Sequence, residues 1–284
     1  MNTSSYSFRV GELQCMAIAD GIATYEDPAD VIFANAPYDQ LKTVLGQHGL
    51  HLEQWKTWRS SYTCLVVSTA EHLVLVDTGA GDALGPDTGH LLTNLQAMGI
   101  GLGDIDAVIL THGHPDHIGG NLAGDGRVAF PRARFYMATE EWEFWTSDPD
   151  IDGPFGDELV ACAHRSLPPI EDRLTLIDRE EEIVPGVRVL PAPGHTPGHM
   201  APVIASGDER LYCIGDAAVH PVHLEQPQWY MAVDTDPERA LATRRELLSR
   251  AEKEKALVFA FHFAFPGLGR IVGKDETWRW QPVT

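Results

Sequence analysis

The sequence predicts a mixed α/β fold in which strands and helices alternate along the chain. The apolar run IDAVIL ends at Leu110 and leads through a histidine-rich segment to Pro115, a residue suited to the first turn of a helix. The run RFYMA leads in the same way to Thr139, the predicted N-cap of another helix, with Glu140 and Glu141 in its first turn. Two direct transitions from strand to helix are typical of an α/β protein.

Further strands are predicted on both sides of these two units. The runs YTCLVVST and HLVLVD predict a hairpin with a turn at Ala70 and Glu71. The runs VRVLPAPGH, MAPVIAS, RLYCIGD and ALVFAFHF are strand-like, and a helix is predicted from Pro237 to Ala251. Residues 148–169 predict a loop or short helical insertion, whereas residues 34–61 fit either a helical insertion near a site or ordinary core and surface. We expect a single domain over residues 1–284.

The charge of the chain argues against a nucleic-acid partner. Its 284 residues include 41 acidic and 21 basic side chains, so the formal net charge is −20 and a phosphate polyanion is repelled. No stretch approaches the roughly 20 apolar residues that span a bilayer, and the N-terminus has no signal-like segment. Four scattered cysteines without a CxxC pair fit a reducing compartment. We expect a cytoplasmic protein with a small-molecule substrate and no membrane partner.

The segment HGHPDH, residues 112–117, predicts a metal site. His112, His114 and Asp116 alternate, so the first two imidazoles are able to converge on one ion while the chain turns. Asp116 and His117 are adjacent and diverge, which suits a second ion beside the first. Imidazole nitrogen with carboxylate oxygen favours zinc, with iron, manganese and cobalt as alternatives.

Three further segments complete a resemblance to a known family. THGHPDH resembles the HxHxDH signature of the metallo-β-lactamase superfamily, and PAPGHTPGH resembles its second histidine motif. IGDAAVH places an aspartate at the end of a strand as that family does, and FAFHFAFPGLGR supplies a final histidine. The resemblance extends from about Tyr62 to Arg270 and is closest to the lactonase and methyl parathion hydrolase-like branch.

This resemblance implies a four-layer αβ/βα sandwich with two divalent metal ions, zinc being the first choice. His112, His114 and His195 are then expected to hold one ion, while Asp116, His117 and His262 hold the other. Asp216 is expected to bridge them. A water shared by two such ions has its pKa lowered from ~15.7 to about 7, which gives a hydroxide nucleophile. Asp116 is also the candidate catalytic residue, able to orient the water or carry its proton to the leaving group.

Four residues outside this set are candidates for supporting roles. Asp77 either fixes the tautomer of a metal-binding histidine or caps a turn. His199 is expected either to support His195 by a hydrogen bond or only to lie on its loop. His220 and His223 follow Asp216 closely, and each either faces the substrate or has no role in the site.

The resemblance leaves several reactions open. A lactone, ester or phosphotriester is the expected substrate of a two-metal hydrolase of this branch. Acyl-homoserine lactonases of the family usually carry a tyrosine three positions after the bridging aspartate, where this chain has Val219. A β-lactam hydrolase and a mononuclear iron thiol or persulfide dioxygenase are the alternatives within the superfamily, and a protein with a purely structural metal is the alternative outside enzymes. By analogy with relatives, a homodimer is expected.

Overall fold

The computed structural model describes residues 4–151, 155–274 and 277–283, and their strands form two seven-stranded sheets. The first sheet contains, in spatial order, β1 Ser5–Val10, β2 Leu13–Glu26, β3 Thr57–Ser68, β4 Leu73–Val76, β5 Ala107–Ile109, β6 Arg134–Ala138 and β7 Leu174–Ile177. Strands β1 to β4 pair antiparallel, and β4 to β7 pair parallel. The parallel half therefore carries the strand-to-helix units that the sequence predicts.

The second sheet is built from the C-terminal part of the chain. It contains β8 Glu181–Val184, β9 Val187–Pro191, β10 Met200–Ser206, β11 Glu209–Cys213, β12 Leu257–Phe259, β13 Leu268–Lys274 and β14 Thr277–Pro282, again in spatial order. All pairs are antiparallel except β11 with β12, which are parallel. The connection between these two parallel strands contains the longest helix of the second half.

Helices cover the outer face of each sheet, which gives four layers. The α-helices are α1 Ala29–Ile32, α2 Tyr38–Gln47, α3 Leu91–Ala97, α4 Pro115–Ile118, α5 Thr139–Thr146, α6 Gly156–Ser166, α7 Val222–Glu225 and α8 Pro237–Lys253. One buried cluster joins α3 to α6 to the first sheet, and another joins α8 to the second sheet. A third cluster, which includes Leu65 and Leu211, packs the two sheets together. The predicted αβ/βα sandwich is thus confirmed.

Two local predictions differ from the structure. Ala138, not Thr139, is the N-cap of α5, because the Thr139 hydroxyl donates to Asp178 Oδ1 at 2.6 Å and does not cap its own helix. The run ALVFAFHF is a strand only as far as Phe259, because the Ala260 N–H donates to Gly267 O as the chain turns. The hairpin before the histidine segment is present, and Pro115 begins α4 as predicted.

The two segments singled out as insertions are both helical in part. Residues 34–61 contain α2, a 3-10 helix at Leu52–Gln54 and the beginning of β3, and they pack into a buried cluster with Val219 and Trp229. Residues 148–169 contain α6, while residues 152–154 lie outside the described part. Within the described ranges, no helix is both long enough and apolar enough to cross a membrane.

A buried carboxylate fixes the loop that follows β4. Asp20 lies at an irregularity in β2 and accepts hydrogen bonds from the N–H groups of Ala80, Gly89 and Leu91 at 2.9–3.0 Å. The loop from Asp77 to Leu91 therefore has a fixed path along the first sheet. This matters for function because the loop begins at Asp77, directly beside the histidine segment.

We expect Asp20→Ala to destabilise the protein by about 1–3 kcal/mol, because it leaves buried N–H groups without an acceptor. Urea unfolding followed by circular dichroism measures this loss. Asp208→Ala, in the exposed turn between β10 and β11, is the matched control and should leave the free energy of unfolding unchanged. Equal stability of the two variants would contradict the role given to Asp20.

Candidate metal centre

The histidine segment occupies the turn between β5 and α4. All of its residues from His112 to His117 are buried. His114 is the N-cap of α4 with extended backbone angles, and Asp116 and His117 lie in the helix that follows, with the His117 ring centroid 4.0 Å from that of His112. Gly113 is required between them, since a Cβ at that position would lie 2.3 Å from Trp145 Cδ1. The segment thus contributes to two adjacent groups of side chains, His112 and His114 to one and Asp116 and His117 to the other.

Three residues from distant parts of the chain join this segment. His195 follows β9, Asp216 follows β11 and His262 follows β12, so each lies just beyond the end of a strand of the second sheet. Two groups result, and within each group the candidate ligand atoms all lie within 4.8 Å of one another. The groups are His112, His114, His195 and Asp216, and Asp116, His117 and His262. All seven predicted ligands are therefore brought together.

Asp216 lies between the two groups. Its Oδ2 is 3.4 Å from His195 Nε2 and 3.1 Å from His262 Nε2. Its Oδ1 is 3.3 Å from His117 Nε2. One carboxylate therefore contacts members of both groups, which is the arrangement that a shared ligand requires.

The donor set fits divalent cations. His112 Nε2, His117 Nε2 and Asp216 Oδ1 are buried and make no hydrogen bond among the described residues, since the 3.3 Å contact of the last two is an ion-pair approach without hydrogen-bond geometry. Such an arrangement is costly unless something else satisfies these atoms. Burial lowers the pKa of His112 and His114 well below its usual value, which favours the neutral imidazole that binds metals. Burial also acts to lower the pKa of His117, but the carboxylates of Asp116 and Asp216 raise it overall, so positive charge is favoured beside them.

Comparison with known proteins agrees with this geometry. The profile of the metallo-beta-lactamase superfamily matches residues 57–262. The chain belongs to this superfamily.

Individual members extend the likeness over the chain. An N-acyl homoserine lactonase of Bacillus cereus is 28% identical over 220 residues, which cover 70% of this chain and 80% of the relative. The structure of AidC, a dizinc quorum-quenching lactonase in complex with a product, N-hexanoyl-L-homoserine, superposes with a TM-score of 0.90 at 28% identity and covers 99% of this chain and 98% of AidC. The hydrolase AbOPH superposes with a TM-score of 0.87 at 26% identity and covers 100% and 99%. The predicted superfamily and the likeness to its lactonase branch are confirmed.

In this superfamily member, a second set of polar groups orients the imidazoles. Asp77 Oδ2 lies 2.8 Å from His117 Nδ1, and the same carboxylate accepts the Thr111 N–H. Asp234 Oδ1 lies 2.7 Å from His195 Nδ1, and Ser60 Oγ lies 2.9 Å from His262 Nδ1. Because each contact occupies Nδ1, it leaves Nε2 of these rings directed at the centre. Asp77 therefore has the supporting position, and the sequence analysis missed Asp234 and Ser60.

His199 supports a different residue from the one considered in the sequence. Its Nδ1 lies 3.0 Å from Ala192 O, and its Nε2 accepts the Asp216 N–H at 3.1 Å. Burial lowers its pKa to about 3, which agrees with a neutral ring that accepts at Nε2. Of the two alternatives for His199, a hydrogen bond to His195 is not formed, because Asp234 already contacts Nδ1 of that ring and both His199 nitrogens have other partners.

His220 and His223 belong to the packing of the N-terminal insertion. His223 Nε2 lies 2.9 Å from Ile32 O, and His220 Nδ1 accepts the Val222 N–H at 3.2 Å. Both rings pack edge-on against Phe33. Neither lines the cavity beside the metal centre, so the structure gives them no contact with a substrate there.

Glu141 connects the two histidine-bearing loops. Its buried carboxylate accepts the N–H of Gly113 at 2.7 Å and that of Gly198 at 2.9 Å. Trp145 Nε1, one turn later in α5, donates to it at 2.6 Å. The sequence indicates for Glu141 only a place in the first turn of a helix, since nothing in the spacing of the chain indicates that two distant glycine N–H groups meet there.

An apolar cavity of about 260 Å³ opens beside the centre. Its floor includes His114, Asp116, His195, Asp216 and His262. Its walls are mainly apolar, and they include Val31, Leu84, Phe155, Leu159, Val219 and Met231. The walls come in part from residues 148–169, which agrees with a role of that segment in shaping the pocket. A small molecule with an apolar portion fits this space.

We expect Asp234→Ala to weaken metal affinity by about 10–100-fold, because His195 loses the carboxylate that orients it. Competition with a chromogenic chelator measures the change. Asp234→Asn retains an oxygen that accepts the Met231 N–H but lacks the carboxylate charge beside His195. It therefore distinguishes loss of the hydrogen bond to Met231 from loss of the carboxylate that orients His195. Asp208→Ala is the exposed control, and unchanged affinity in both Asp234 variants would refute the prediction.

Proposed function

We propose that this chain is a two-metal hydrolase that opens lactones carrying an apolar substituent. One observation carries the proposal: seven buried imidazole and carboxylate groups form two clusters, and five of the seven lie at the floor of an apolar cavity. The names of its relatives, a dizinc lactonase and an N-acyl homoserine lactonase, support the same substrate class. The acidic character of the chain agrees with a neutral substrate.

The proposed ligand sets follow the two clusters. His112, His114 and His195 hold one ion, and Asp116, His117 and His262 hold the other. Asp216 is shared, and zinc is the proposed ion because imidazole and carboxylate together suit it. When bound, two such ions lower the pKa of a shared water towards about 7 and polarise the substrate carbonyl.

The side chains of the site then have separate tasks. The apolar wall binds the substituent of the lactone and directs its ester group to the floor of the cavity. The water oxygen attacks the carbonyl carbon, and the ring C–O bond breaks. Asp116, which lines the cavity, takes the proton released from the water and gives it to the departing alkoxide, so that the product is a hydroxy acid.

Asp116→Asn tests the proton transfer. The amide retains an oxygen for metal binding but cannot carry the proton, so we expect kcat to fall by about 10²–10⁴-fold. Elemental analysis should still find both metals, since His117, His262 and Asp216 remain. Asp208→Asn is the matched control on an exposed turn. Full activity of Asp116→Asn would exclude this residue as the proton carrier.

A series of γ-lactones with alkyl chains of increasing length tests the role of the wall. Each methylene that the wall buries contributes about 0.8 kcal/mol, so kcat/KM should rise by about fourfold per carbon until the cavity is filled. The rate of acid release gives kcat/KM for each member. A flat series would mean that the apolar wall does not bind the substituent.

Metal analysis with a substrate panel separates this proposal from the alternatives. Two zinc ions per chain and turnover of lactones are the expected results. Turnover only of aryl esters, phosphotriesters or β-lactams would move the proposal to that substrate. One iron per chain with oxygen consumption on a thiol would overturn it in favour of a dioxygenase. A metal-loaded protein that is inert on the whole panel would favour a structural metal.

Three expectations from the sequence stay predictions. They are a single domain over residues 1–284, a homodimer and a cytoplasmic location. The four cysteines are free and buried, which supports a reducing compartment.

A further inference from the structure

Tyr25 is a hydroxyl-bearing residue in the lining of the cavity. It lies near the end of β2 and lines the cavity together with Asp116, Asp216 and His262. Its ring stacks on Trp58, its cross-strand neighbour in β3, with centroids 5.4 Å apart and planes at 28°. The position of the ring is therefore fixed by strand pairing and stacking.

The direction of one hydrogen bond follows from burial. The Tyr25 hydroxyl is hydrogen-bonded to the Tyr62 hydroxyl, and Tyr62 is fully buried. Among the described residues, the Tyr62 hydroxyl has no other hydrogen-bond partner. Donation from Tyr62 to Tyr25 is the direction that leaves an acceptor for both protons, because only Tyr25 lines the cavity in which a bound molecule is able to accept. The proton of Tyr25 is thereby left free to be donated elsewhere.

The surroundings of Tyr25 favour the protonated form of its phenol. Burial raises the pKa of Tyr25 above its usual value, and the negative charges of Asp116 and Asp216 raise it further. The phenol is therefore neutral at physiological pH and lies within the field of the carboxylates at the floor. Since its ring lines the cavity, an acceptor for its proton has to come from a molecule bound there.

We propose that Tyr25, held by Tyr62, donates a hydrogen bond to the reacting carbonyl oxygen of an acyl substrate bound in the cavity. This inference rests on the proposed hydrolysis and adds a residue to it. The hydrogen bond strengthens as negative charge develops on that oxygen, so it acts on kcat more than on KM. Trp58, which stacks on Tyr25 and also lines the cavity, carries a second hydrogen-bond donor in its indole N–H. The test therefore has to separate the Tyr25 hydroxyl from the Trp58 indole.

The test compares Tyr25→Phe, Tyr62→Phe and the double variant in the metal-loaded protein. Tyr25→Phe should lower kcat on an alkyl γ-lactone by at least about tenfold, with little change in KM and unchanged metal content. Tyr62→Phe should have a smaller effect, because Tyr25 keeps its proton but loses the group that orients it. The double variant should be no slower than Tyr25→Phe alone. Additive effects of the two substitutions on kcat would show that Tyr62 does not act through Tyr25, and would overturn the proposal.

Trp58→Phe separates the two donors, and Tyr38→Phe is the matched control. Trp58→Phe removes the indole N–H while keeping an aromatic ring beside Tyr25, so it should lower kcat less than Tyr25→Phe does. Tyr38→Phe removes an exposed hydroxyl that bonds Glu53, and it should have no effect. A loss in Trp58→Phe as large as that in Tyr25→Phe would assign the hydrogen bond to the indole and overturn the proposal.

Binding of an alkyl γ-lactam, which resists hydrolysis, keeps the inference distinct from the proposed function. Calorimetry should give a Kd about two- to threefold weaker for Tyr25→Phe than for the wild type, the low end of the range for one lost hydrogen bond, because a neutral carbonyl accepts more weakly than a developing oxyanion. If the wild type binds the lactam but opens no lactone, the proposed function fails and this difference still decides the role of Tyr25. Equal rates and equal Kd values in wild type and Tyr25→Phe would overturn the inference alone, and a wild type that neither binds nor hydrolyses would overturn both.

Discussion

Asp116 and Asp216 are carboxylates buried among five imidazoles, and the surrounding structure depends on this concentration of polar groups. Burying a charge is costly unless it is paired and hydrogen-bonded. The protein alone does not complete the pairing, because His112 Nε2, His117 Nε2 and Asp216 Oδ1 have no hydrogen-bond partner in the described part of the chain. Cations held by the two clusters would satisfy these atoms and balance the carboxylates, so the buried polar groups fit a site that binds metal ions.

Such a cluster is useful only if its rings are held in one orientation. The protein does this with carboxylates one layer further out, Asp77 behind His117 and Asp234 behind His195. Glu141 fixes the backbone of the two loops in a similar way, since its carboxylate accepts hydrogen bonds from the Gly113 and Gly198 N–H groups. Because these contacts come from both sheets and from α5, the geometry of the centre and the packing of the sandwich stabilise each other.

The sequence predicts those parts of the site that are local in the chain. Residues 112–117 are contiguous and lie between a recognisable strand and Pro115, and His195, Asp216 and His262 each occur in a segment with its own likeness to the superfamily. Asp234 and Ser60 have no such signal, because each contacts its histidine only after the chain has folded back over 39 and 202 residues. The same limit explains His199. Its nearness to His195 in sequence suggests a contact, yet the loop turns its Nε2 to the Asp216 N–H.

Strands β2 and β3 contribute to the cavity from an extension of the first sheet. They pair from Gln14 to Glu26, whereas β4 pairs with β3 only at residues 65–68, so the far end of the β2–β3 pair extends beyond the sheet. That extension carries Tyr25 and Trp58 into the cavity and Ser60 to His262. The seven proposed metal ligands lie instead on loops and in the short helix α4, beyond the ends of other strands. Substitutions of Tyr25 and Trp58 are therefore expected to alter what the cavity accepts and which donors it offers, whereas Ser60 on the same extension contacts one of the proposed ligands, His262.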